Sequence, residues 1–157
     1  MNNLLNSQLI ELLGETRDFL ANSSNFTSFI YNYIPNLNWV GFYFDNGKEL
    51  ILSIFQGKPA CIKIAYNKGV CGKAFQDCKL INVPNVHNFV GHIACDSASN
   101  SELVIPIKIK DKIVGVLDID SPFLDRFGSE DVELINNFLL SFINCTDFDK
   151  IIKYYEN

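Results

Sequence analysis

The chain has 157 residues, about one ordinary domain when each domain takes roughly 100–200 residues. Hydrophobic residues make up 48% and charged residues 20%, enough apolar surface for a core and too much for a disordered chain. A formal net charge of −5 argues against a nucleic-acid backbone or an anionic membrane as partner, since both select for lysine and arginine.

No apolar run reaches the roughly 18–20 residues that a membrane-spanning helix needs. The opening Met1-Asn2-Asn3-Leu4-Leu5 has neither a basic stretch nor an apolar targeting core, so export is not expected and the cytoplasm is the expected compartment. Five cysteines, an odd number with no C-x-x-C pair, are not a disulfide framework or a compact zinc ribbon. They are either buried thiols or redox partners distant in sequence.

In chain order, the residues up to about 34 read as helical, with an interruption at Gly14 and a stop at Pro35. Trp39 to Phe44 and Glu49 to Phe55 read as a hairpin around the turn Asp45-Asn46-Gly47-Lys48. Ala60 to Ile64 reads as a third strand carrying Cys61, Gly69 to Asp77 as a short helix, and Leu80 to Val83 as a further strand. Apolar periodicity then disappears over the sixteen residues from Asn85 to Asn100, a length that usually marks a functional loop. A second hairpin joins Glu102–Ile109 to Ile113–Ile119. A final helix over about 129–144 follows, with Ser129 as its N-cap and Val132, Ile135, Phe138, Leu139 and Phe142 facing the core. Sheet and loop thus occupy about 38–121, and the expected fold is α+β, one domain over 1–157 on an antiparallel sheet.

Three cysteines sit in suggestive settings. Cys61 follows Gly57-Lys58-Pro59-Ala60, and Cys71 lies at the N-terminus of the expected short helix, where unpaired N–H groups would favour a thiolate. Cys95 lies in the long loop, three residues after His92, among small neighbours that suit a reactive thiol. Cys78 and Cys145 have helical neighbours and read as structural, and His87 as a surface residue. A zinc site from Cys61, Cys71, His92 and Cys95 lacks a compact ligand pair and is disfavoured.

The string Gly91-His92-Ile93-Ala94-Cys95-Asp96-Ser97-Ala98-Ser99-Asn100-Ser101-Glu102 resembles the signature of the free methionine-R-sulfoxide reductases, which are small single-domain GAF proteins. The resemblance runs from Trp39-Val40-Gly41-Phe42-Tyr43 to Asp118-Ile119-Asp120-Ser121, and includes cysteine spacings of ten (61 to 71) and twenty-four (71 to 95). Asn85 and Val90 depart from the family's usual acidic residue and proline.

The resemblance implies thiol-dependent reduction of free methionine-R-sulfoxide, with no metal or flavin and with reducing equivalents from thioredoxin. It makes Cys95 the nucleophile and Cys71 or Cys61 the thiol that resolves its sulfenic acid into a disulfide. Glu102, Asp118 and Asp120 become the pocket carboxylates. One is expected to stay protonated as the acid, and the others to pair with the substrate's α-ammonium. Trp39 and Tyr43, four apart on one strand and otherwise readable as core residues, become the aromatic wall. The apolar, aromatic N-terminal segment permits a homodimer. The rival readings are a ligand- or redox-sensing GAF module without turnover, for which an output domain is expected but has no room here, and a GAF subunit that only dimerises.

Overall fold

The structure is a computed structural model that describes residues 2–91 and 97–156. Its elements are α1 (Asn2–Leu13), α2 (Phe19–Tyr33), β1 (Trp39–Asp45), β2 (Glu49–Gly57), β3 (Lys63–Ala65) and α3 (Gly69–Asp77). They continue with β4 (Ile81–Val83), a 3-10 turn (Val86–Asn88), β5 (Ser101–Ile109), β6 (Lys112–Ser121), α4 (Ser129–Cys145) and α5 (Asp149–Glu156). The six strands form one sheet in the order β3-β2-β1-β6-β5-β4, each pair antiparallel.

Strand alternation divides the side chains between two layers. On β1, Val40, Phe42 and Phe44 enter the cluster beneath α1, α2, α4 and α5, while Trp39 and Tyr43 enter the one beneath α3. The first cluster is dense in phenylalanine: the Phe142 ring lies 4.7 Å from Phe26 and 5.2 Å from Phe42, centroid to centroid. Such ring pairs add about 0.5–1.5 kcal/mol each beyond the area they bury. A register shift between Gly41 and Tyr43 lets Leu52 and Phe55, three apart on β2, both pack on the α3 side.

Chain reversals on the helical side are held by specific polar contacts. The Asp18 carboxylate caps α2 by accepting from the Ala21 N–H at 2.9 Å. The Arg17 guanidinium donates to the carbonyls of Asn144 (2.8 Å) and Thr146 (3.2 Å), closing the end of α4.

Three expectations from the sequence need correction. Cys61 is not on a strand: β3 begins only at Lys63, because Pro59 has no N–H to give a ladder and the carbonyls of Lys58 and Cys61 accept from side chains instead. The N-cap of α4 is Gly128 and not Ser129, with the Asp131 carboxylate accepting from the Gly128 N–H at 3.1 Å. The chain also has a helix beyond the one expected last. In α5, Ile151, Ile152 and Tyr155 pack on the phenylalanine cluster next to Phe148, a spacing of three, four and seven that was present in the sequence.

Candidate active site

The sheet register sets the site before any side chain is considered. Asp120 of β6 lies opposite Trp39 of β1 on one side and Glu102 of β5 on the other. One row along, Asp118 lies between Gly41 and Val104, and in the next Val116 lies between Tyr43 and Pro106. The three carboxylates and two aromatics named from the sequence therefore share one face of three adjacent strands. Gly41 is required there, because a Cβ would lie 2.4 Å from Phe55 Cβ and 2.5 Å from the Trp39 ring. Trp39 stacks on Phe55 at 5.4 Å and on Tyr43 at 5.9 Å. Phe55 completes the aromatic wall; the register shift puts it opposite Gly41, where counting back from the turn would put Ile54.

Helix α3 closes over this face. Gly69 has φ +60° and donates its N–H to the Gly91 carbonyl at 3.1 Å, tying the start of α3 to the loop that leads toward Cys95. A Cβ at Gly72 would meet the Ala65 carbonyl at 2.4 Å, so only glycine lets the helix lie this close to the end of β3. Cys71, the third residue of α3, is thereby pressed onto the carboxylates. Its Sγ lies 3.9 Å from Glu102 Oε1, and donor atoms of Cys71, Glu102 and Asp118 lie within 4.8 Å of one another. Asp118 Oδ1 is buried without a hydrogen-bond partner among the described residues.

The electrostatics follow from that burial. Removal from water, then the charges of Asp118 and Asp120, push the Glu102 carboxyl well above the usual carboxylate range. Burial lifts Asp118 to about 6, opposed by hydrogen bonds from Cys71, Glu102 and the Ile119 backbone. The Cys71 thiol is pushed up by burial and then by the charges of Asp118 and Glu102. This reverses the expectation of a thiolate there. A helix N-terminus contributes about 0.3–1 kcal/mol, too little against desolvation beside two acids.

A GAF domain family model matches residues 11–143. The free methionine-R-sulfoxide reductase of Escherichia coli is 40% identical over 149 residues, 93% of this chain and 90% of that one. The solved fRMsr of Staphylococcus aureus, in complex with its substrate, is 41% identical with a TM-score of 0.87, over 93% of this chain and 95% of that one. The free methionine-R-sulfoxide reductase of Neisseria meningitidis, also solved with its substrate, is 31% identical with a TM-score of 0.86, over 92% and 87%. The chain belongs to the free methionine-R-sulfoxide reductase family of GAF domains.

In this reductase-family chain the wall also holds a loop. Trp39 Nε1–H donates to the Lys58 carbonyl at 3.1 Å, and the Tyr43 hydroxyl to the Cys61 carbonyl at 2.9 Å. Cys61 is disulfide-bonded, whereas Cys71, Cys78 and Cys145 carry free thiols. While it is bonded in this way, Cys61 offers no thiolate to the four-residue zinc set. His92 and Cys95 lie outside the described residues. The flanks of their segment are braced: Asn38 Nδ2 donates to Ser99 Oγ at 3.0 Å, and His87 Nε2 lies 2.8 Å from Asn100 Oδ1. His87 is a surface residue, as expected, and its ring meets Asn100 on that flank. Asn38 was not singled out in the sequence, where a part-buried polar contact 61 residues away leaves no local trace.

Proposed function

We propose that the chain reduces free L-methionine-(R)-sulfoxide to methionine in the cytoplasm, with thioredoxin restoring its thiols. The observation that supports this best is the pair Glu102–Asp118, two acids buried beside an aromatic wall with one carboxylate oxygen left unpartnered. An unmet polar atom of that kind costs about 1–3 kcal/mol, which a ligand cation can relieve. The α-ammonium of a free amino acid is such a cation.

The carboxylates then divide the work by environment. Asp118, titrating at about 6, is mostly ionised at neutral pH and, with Asp120, accepts from the α-ammonium. Glu102, held well above the usual range, keeps its proton and gives it to the sulfoxide oxygen. Trp39, Tyr43 and Phe55 enclose the S-methyl group. The Cys95 thiolate attacks the sulfoxide sulfur; the S–O bond breaks, the oxygen leaves on Cys95 as a sulfenic acid, and methionine departs. The Cys61 thiol then displaces that oxygen as water, forming a disulfide that a thioredoxin dithiol reopens. The disulfide state of Cys61 and the free, buried state of Cys71 favour Cys61 as the resolving thiol.

The test is NADPH consumption with thioredoxin, thioredoxin reductase and free methionine-R-sulfoxide. Stoichiometric methionine release, abolished by Cys95→Ser, is expected. Ligand binding without turnover would make the chain a sensor instead. Activity against pH should be bell-shaped: it falls below about 6 as Asp118 gains its proton, and falls again on the basic side as Glu102 loses its own.

A further inference from the structure

The geometry points to Cys71 as a positioning residue that donates its S–H to the Glu102–Asp118 pair, and not as a redox thiol. The inference rests on the reading of those two acids as proton donor and ammonium acceptor. Three observations carry it. Cys71 Sγ is directed at Glu102 Oε1 at 3.9 Å, within the range of a sulfur donor. The thiol is buried against the sheet, held there by the close approach that Gly72 allows. And it is free where Cys61 is bonded.

A neutral S–H is well suited to this place. It donates to a carboxylate without adding charge, and it lowers the proton affinity of both Glu102 and Asp118, opposing the burial that raises them. Cys71 would thereby temper the rise that burial imposes on both acids. The raised pKa of the thiol itself keeps that S–H in place and disfavours a nucleophilic thiolate.

The experiment compares Cys71→Ser with Cys71→Ala, both checked for folding by thermal melt. Serine still donates and should retain most of kcat/KM with an unmoved pH profile. Alanine should cost roughly 10-fold or more, about one charge-assisted hydrogen bond, and shift both limbs of the profile to higher pH. Equal loss in both variants with an unmoved profile, and sulfenic acid accumulating on Cys95, would make Cys71 a redox thiol and overturn the inference. Full activity in both would overturn it too. A readout without turnover separates this from the function itself: the infrared S–H band lost in Cys71→Ser should move in Glu102→Gln. A band indifferent to Glu102→Gln removes the hydrogen bond whatever the chain catalyses.

Discussion

The two faces of the sheet are built from the same strands and do opposite work. On β1 and β6, alternate residues turn to the helices: Val40, Phe42, Phe44, Leu117 and Ile119 join Phe26, Phe138 and Phe142 in a packed apolar layer. The intervening residues, Trp39, Tyr43, Asp118 and Asp120, face α3, where Glu102 and Cys71 meet them. The first layer gains free energy by removing apolar surface from water. The second spends part of it burying acids that water would rather hold. One period-2 pattern thus separates the apolar core from the acidic face within single strands.

That separation can be broken from either side. The largest effect should come from Phe142→Ala, which leaves a cavity amid Phe26, Phe42 and Phe148 and should cost about 3–5 kcal/mol. Urea unfolding measures it, and KM of the folded fraction should not move. A loss under about 1 kcal/mol would mean that this face is not where stability resides.

A smaller effect of opposite sign is expected from Glu102→Gln. Folding raises the proton affinities of Glu102 and Asp118, so the native state binds more protons than the unfolded chain above about pH 4. Stability contributed this way is present at low pH and lost as pH rises through the folded values. Removing the acid should therefore raise Tm by a few degrees at pH 8, with the gain shrinking toward pH 5, while turnover is lost. A lower Tm at pH 8 would contradict a strained, functional acid.

The smallest effect belongs to Cys78 and Cys145. Cys78 is exposed just past α3 and Cys145 sits at the end of α4; serine at either should change stability by no more than about 0.5 kcal/mol and leave turnover alone. A large loss at either would mean that the thiols have been divided wrongly.

Much of this was legible in the sequence because period 2 is a local signal. Trp39 and Tyr43, or Asp118 and Asp120, declare a shared face from spacing alone, and the hairpins around Gly47 and Lys110-Asp111 declare their own turns. What escaped notice was set by non-local contacts. The loop carrying Cys61 read as a strand because its carbonyls are claimed by side chains 18 and 19 residues away. The acidity of Cys71 was misjudged because helix position is visible in sequence, whereas burial against a sheet 31 residues distant is not. Helix α5 is the exception, since the spacing of Phe148, Ile151, Ile152 and Tyr155 is a local signal.

In the proposed function this acidic face recognises a free amine. A peptide-bound or acylated methionine sulfoxide presents an amide where the carboxylates expect an ammonium, leaving a buried charge unpaired at a cost of about 2–5 kcal/mol. The measurement is kcat/KM for free and for N-acetyl methionine-R-sulfoxide on the same preparation. The account requires the acetylated substrate to be worse by on the order of two to three decades. Comparable values for the two would mean that Asp118 and Asp120 do not hold the amine, and the site would have to be redrawn.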